Sequence, residues 1–211
     1  MPDISESVHA PFRVKAVAPI WHLLLATALI VVAGAAIAAP TIRTRILFVG
    51  NSLTYYNAMP SMVKELLIAN HSDRGVDVEI LAEGGARLEQ HLAGDALVKA
   101  TSSQSFDVVV IQDLGGFPLC SESFPGCAGS RESIRKAAEL VRHSGARPIW
   151  YSTWQGTQET QERLSQEVGV FARTNNIEVS DTGVVLYRYM TRNPRASVLL
   201  ENGHPTPLGQ H

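Results

Sequence analysis

The sequence predicts an α/β protein with a parallel five-stranded sheet covered by helices on both faces, three layers in all. Three observations carry that expectation. Short β-rich runs alternate with longer helical patterns over most of the chain, the pattern of strand–helix–strand units. One run, Val108-Val109-Val110-Ile111, is continuously apolar, as a strand buried on both faces of a parallel sheet must be. Ser52, Gly85, Gln112 and Trp154 each follow a predicted strand. Right-handed crossovers would bring all four to one sheet edge, where ligands bind.

The elements follow in order. Residues 45–49 form the first strand, which runs into a turn carrying Ser52. Residues 59–69 are helical, with Met62, Val63, Leu66 and Leu67 on one face and Pro60 near the start. Residues 76–81 form a second strand. Residues 87–100 read as one helix with Leu88, Leu92 and Leu97 inward, weakened by Gly94. Residues 107–112 form the third strand, followed by a long loop over 115–129. A helix over 131–143, a strand over 147–152, a helix over 159–174 and a strand over 177–180 complete the alternation. Beyond Asp181 the chain reads as irregular up to a histidine motif.

The chain has 211 residues and a net charge of −2, an ordinary globular composition that holds one good-sized domain. No basic run points to nucleic acid. The N-terminus differs. After Arg13 and Lys15 no formal charge appears until Arg43, and residues 20–37 are almost wholly apolar apart from His22. Ala36-Ile37-Ala38, a small-x-small site, follows, then Ala39-Pro40. Residues 1–40 are therefore expected to be a secretory signal peptide or a membrane anchor, since about 20 apolar residues span a bilayer. In the second case residues 16–39 associate with the membrane. On either reading the domain over 41–211 is exported, to the periplasm or the medium. Cys120 and Cys127 agree: in an oxidising compartment they close a small disulfide. No second Cys or His pair stands near them at ligand spacing, so no metal site is expected.

Chemistry concentrates at the two ends of the domain. Near its start is Gly50-Asn51-Ser52-Leu53-Thr54, and near its end Glu201-Asn202-Gly203-His204-Pro205. A serine hydroxyl needs a base to take its proton, and the base works best when a carboxylate fixes its tautomer. The motifs supply all three groups. A turn or cap serine is the plainer reading of Ser52 alone. The G-x-S-x-G elbow, the G-x-G-x-x-G turn and the Walker lysine do not occur here.

These blocks resemble those of the SGNH hydrolases, also called GDSL esterases and lipases. Gly50-Asn51-Ser52-Leu53-Thr54 is similar to their first block, and the histidine motif to their last, where an acidic residue precedes the base by three. Gly84-Gly85 with Leu88 and His91, Val110-Ile111-Gln112-Asp113, and Trp150-Tyr151-Ser152-Thr153-Trp154 resemble the middle blocks of one subfamily with a strand-end glutamine. The likeness covers residues 44–208. It implies a flavodoxin-like sheet and a cofactor-free serine esterase. Its substrate would be a small-molecule or carbohydrate ester with a short acyl or acetyl group.

The resemblance assigns Ser52 as nucleophile, His204 as base and Glu201, where most members have Asp, as its orienting carboxylate; Asp113 is an alternative. It gives the oxyanion to the N–H groups of Ser52 and Gly85, or Gly84 in its place, and to the amide of Gln112. Gln112 stands where the usual third block has Asn, and a brace for its loop is the competing role. Asn51 and Trp154 are assigned to substrate binding. Relatives carry a last helix after the histidine motif, so the domain is expected to be missing its C-terminal helix at His211. An O-acyltransferase with the same triad and a non-catalytic carbohydrate- or envelope-binding module are the alternative functions.

Overall fold

A computed structural model describes residues 43–71, 74–116, 119 and 128–210. The N-terminal apolar stretch and both cysteines, with their expected disulfide, lie outside the described residues.

Strand β1 (Arg43–Gly50) lies inside the sheet, paired along both edges. Its side chains alternate between the two faces of the sheet. Leu47 and Val49 enter one core with Val109, Ile111 and Trp150. Ile46 and Phe48 enter the other with Val108 and Tyr151. All four β1 side chains are at most 5% exposed, each worth roughly 1.5–3 kcal/mol relative to exposure. This double burial is why the run Ile46-Leu47-Phe48-Val49 is apolar without alternation.

A short helix α1 (Ser52–Tyr55) and a 3₁₀ turn (Tyr56–Ala58) lead into α2 (Met59–Asn70). Then come β2 (Gly75–Ala82), α3 (Leu88–Ala93), α4 (Ala96–Ser103), β3 (Val108–Ile111), α5 (Ala128–His143), β4 (Arg147–Ser152), α6 (Gln158–Thr174), β5 (Glu178–Asp181), α7 (Thr182–Arg192) and α8 (Pro207–Gln210). The five strands stand in the order β2-β1-β3-β4-β5, and every pair is parallel. That is the flavodoxin-like order, with its switch point between β1 and β3. Helices α3 to α6 cover the Leu47–Val49 face, through Leu88, Leu97, Ile134, Val141, Leu164 and Val168. Helices α2 and α7 pack on the other face, through Met59 and Leu186. An apolar groove of about 440 Å³ remains on that face, lined by Ile46, Phe48, Val63, Val110, Ile149 and Gly209, among others.

Three expectations needed correction. The helix read over 87–100 is two helices, because the chain turns at Gly94-Asp95, where Asp95 takes a left-handed φ of 54°. Strand β3 stops at Ile111; the Gln112 N–H still donates to the Val49 carbonyl at 2.9 Å, while the side chains of Gln112 and Asp113 brace neighbouring turns. The stretch after Asp181 contains a full helix, α7. Its sequence, rich in Val, Tyr and Thr, has weak intrinsic helix preference. Burial of Gly183 and Leu186 holds it, and the Asp181 carboxylate caps it by accepting from the Val184 N–H at 3.4 Å.

Candidate active site

The site begins where β1 ends. Asn51 is extended and caps α1, its Oδ1 accepting from the Leu53 N–H at 3.1 Å. Ser52 is thus the first residue of α1, where a backbone N–H has no acceptor within its own helix. Its Oγ lies 3.0 Å from His204 Nε2. A buried frame fixes this turn. The Asn51 N–H donates to Gln112 Oε1 at 2.9 Å, and the Thr54 hydroxyl donates to the same oxygen at 2.8 Å. A backbone N–H can only donate, so the oxygen of the Gln112 amide faces Asn51 and its NH₂ group faces the Asp113 carbonyl, to which it donates. A methyl on Gly50 would fall 2.3 Å from Gln112 Oε1 and 2.4 Å from Thr54 Oγ1. Glycine is therefore required at position 50 by close approach.

The glycine turn after β2 is tied to the same frame. Glu83 N–H donates to the Gly50 carbonyl at 3.2 Å, and Ala86 N–H to the Glu83 carbonyl at 3.1 Å. Asn51 Nδ2 donates to the Ala86 carbonyl at 3.0 Å. Gly85 takes φ +71°, and a side chain there would meet nothing within 4 Å. Backbone conformation rather than space selects glycine at this position. His91 is buried with Nε2 2.8 Å from the Gly50 carbonyl; a carbonyl only accepts, so Nε2 carries the proton. Asp113 accepts from the N–H groups of Leu88 (3.0 Å) and Leu114 (2.8 Å) and from the Ser130 hydroxyl (2.6 Å). Its oxygens join the start of α3 to α5.

The histidine arrives on a tight hairpin. Leu199 bridges Pro205, Leu200 N–H donates to the His204 carbonyl at 2.8 Å, and Gly203 N–H donates to the Leu200 carbonyl at 2.9 Å. Gly203 takes the left-handed φ of 79° that ends this turn. Asn202 Oδ1 accepts from the His204 N–H at 3.1 Å. Two outside contacts hold the hairpin. Trp154 Nε1 donates to the Gly203 carbonyl at 2.8 Å, and Asn57 Nδ2 donates to the Pro205 carbonyl at 2.8 Å. The Tyr56 ring lies against the imidazole, centroids 4.6 Å apart and planes at 43°.

The structure brings Ser52 and His204 together and corrects four other assignments. Glu201 occupies the second position of the Leu200–Gly203 turn, exposed to solvent. No hydrogen bond joins its carboxylate to His204, whose Nδ1 is buried and without a partner among the described residues. The chain reverses between the two residues, so the three-residue spacing does not bring the carboxylate onto the ring. Gln112 is fully buried with both ends of its amide engaged, so it braces the nucleophile turn and has no N–H left for an oxyanion. Asn51, 1% exposed, spends its side chain on capping and on the glycine turn. Trp154 is buried in the core below β4 and anchors the histidine hairpin. Burial there raises the Tyr151 hydroxyl well above its ordinary range. The pairing of Tyr56 and Asn57 with the hairpin had no signal in the sequence, because 148 positions separate Asn57 from Pro205.

No family model and no curated protein matches the chain. Solved structures do. One is a protein of Slackia heliotrinireducens described as an SGNH hydrolase, 27% identical with a TM-score of 0.63 over 80% of this chain and 93% of that one. TesA is similar at 17% identity and a TM-score of 0.58, over 79% of this chain and 92% of its own. Axe2, an acetylxylan esterase from Geobacillus stearothermophilus, is similar at 15% identity and a TM-score of 0.60, over 81% and 91%. At such identities TesA and Axe2 speak for the fold alone. The Slackia protein shares both fold and more than a quarter of the aligned residues across nearly its whole length, and on that likeness the chain belongs to the SGNH hydrolase superfamily.

Proposed function

We propose that Ser52 and His204 act as a nucleophile–base pair that hydrolyses a short acyl ester. The superfamily makes the chain a hydrolase acting on ester bonds. The observation that carries the residue assignment is the 3.0 Å contact between Ser52 Oγ and His204 Nε2, within the reach that general-base catalysis needs. Ser52 Oγ attacks the ester carbonyl carbon while its proton passes to Nε2. The tetrahedral oxyanion is met by the N–H of Ser52 and the N–H of Gly85. The imidazolium then protonates the departing alcohol. Water, deprotonated by the same nitrogen, releases the acid from the acyl-serine. One oxyanion donor is worth about 3–4 kcal/mol of transition-state energy.

An acetyl group on a carbohydrate is the substrate class that the likeness to Axe2, an acetylxylan esterase, supports. The test is a series of p-nitrophenyl esters from acetyl to octanoyl, followed by acetylated xylo-oligosaccharides, with product analysis to detect transfer to a sugar hydroxyl instead of water. Rates highest with acetyl and free acetate as product support the reading; acyl transfer without acetate release overturns it.

Glu201 supplies a sharper test of the pair. A carboxylate that orients a catalytic histidine costs up to about 10⁴ in kcat when made an amide. With Glu201 in solvent, Glu201→Gln is expected to keep kcat within about threefold of wild type, because an exposed charge contributes little through water. A fall of a hundredfold or more, measured on the acetyl ester, would restore the triad.

Export is proposed on the strength of the N-terminal sequence. Sequencing the N-terminus of the mature protein from a secreting host is expected to begin at Ala39, after the Ala38 site. A start at the first residues would indicate a retained anchor.

A further inference from the structure

We infer that Tyr56 and Asn57 are the positioning residues of His204 and do the work an orienting carboxylate does elsewhere. The inference rests on Ser52 and His204 being the reactive pair. A histidine base needs its ring held at a fixed angle and its cation favoured while it carries the proton. Nothing bonded to Nδ1 does this here, since that atom is buried and unpartnered among the described residues. The ring meets Ser52 Oγ at Nε2 and the Tyr56 ring at 4.6 Å. An aromatic ring within about 6 Å of a cation attracts it through the negative charge on its face. The imidazolium that forms when Ser52 gives up its proton therefore lies within that reach of the Tyr56 ring.

Asn57 closes the arrangement from behind. Its Nδ2 donates to the carbonyl of Pro205, the residue after the base, at 2.8 Å. Asn57 and Ala58 both take left-handed backbone conformations, φ 51° and 56°. Asn tolerates that region and Ala adopts it only at a cost, so the turn persists because its contacts hold it. The consequence is a compact device. Nucleophile, ring support and hairpin tether all lie on the segment 52–57, so the distance between Ser52 and His204 is set by one short piece of chain against one hairpin.

The test compares four variants with a chromogenic acetate ester, measuring kcat, KM, melting temperature and the rate at which a fluorophosphonate labels Ser52. Tyr56→Leu keeps an apolar side chain and removes the π face. Asn57→Gly keeps the left-handed backbone and removes the tether. Each is expected to lower kcat and the labelling rate in parallel by about tenfold, with KM changed less than about twofold. Tyr56→Phe is expected to recover most of what Tyr56→Leu loses, since the ring and not the hydroxyl faces His204. His204→Ala is run beside them.

Folded Tyr56→Leu and Asn57→Gly enzymes with wild-type kcat, beside an inactive His204→Ala, would overturn the positioning role and leave the esterase reading standing. Tyr56→Phe as impaired as Tyr56→Leu would overturn the role of the ring. An active His204→Ala would overturn both readings. Should Tyr56→Leu fail to fold, Asn57→Gly and Tyr56→Phe decide, the first by loss of kcat and the second by its retention.

Discussion

Ser52→Ala is expected to abolish ester hydrolysis, with kcat falling by about 10⁴ or more, as loss of a serine nucleophile does elsewhere. The fold should not notice. Among the described residues the Ser52 hydroxyl bonds only to His204. The cap of α1 comes from Asn51 and the brace of the turn from Gln112. Alanine is a good residue for the first position of a helix. The melting temperature should therefore stay within a degree or two of wild type. Fluorophosphonate labelling should disappear together with turnover. A stable variant that still hydrolyses the acetyl ester at a rate near wild type would show that another residue is the nucleophile.

Gln112→Ala is expected to act first on stability. The substitution removes the acceptor of the Asn51 N–H and of the Thr54 hydroxyl, and both groups are buried, with Asn51 at 1% and Thr54 at 0% exposure. A buried donor left without a partner costs about 1–3 kcal/mol, so two of them together with the cavity predict a loss of roughly 3–5 kcal/mol. Turnover should fall as well, with kcat and KM both affected, because the frame that places Ser52 loosens. Gln112→Glu should be at least as harmful. One carboxylate oxygen can still accept from Asn51, but the other meets the Asp113 carbonyl, an acceptor facing an acceptor. Thermal melts of the two variants check this. A Gln112→Ala protein of wild-type stability that has lost kcat alone would return the amide to the oxyanion.

The architecture was legible because it follows from local chemistry. A chain whose strands are apolar on both faces and whose intervening segments carry a helical period has few ways to bury both patterns, and a parallel sheet between helix layers is the one this chain adopts. That arrangement places every strand end on one edge, so Ser52, Gly85 and Gln112 are recognisable as neighbours from the sequence. The misread elements were those whose local signal opposed the outcome. Helix α7 has β-leaning residues and exists because the core takes Leu186. The break at Gly94-Asp95 needs a left-handed Asp that no rule of composition demands.

The site divides in the same way. The residue types at the motifs made a meeting of serine and histidine at the C-terminal edge of β1 the expectation, and Ser52 Oγ lies 3.0 Å from His204 Nε2. What each neighbouring side chain faces was decided only by the tertiary structure. Spacing in sequence puts Glu201 three residues from His204, yet a β-turn reverses the chain between them and leaves the carboxylate in solvent. Gln112 carries an amide suited to an oxyanion, yet its burial against Asn51 and Thr54 spends that amide on the turn itself. Tyr56 and Asn57 carry no motif at all, and they meet the histidine hairpin because the fold closes two distant ends of the domain on one another. Hydrogen bonds and ring contacts depend on direction as well as distance, and direction belongs to the folded backbone.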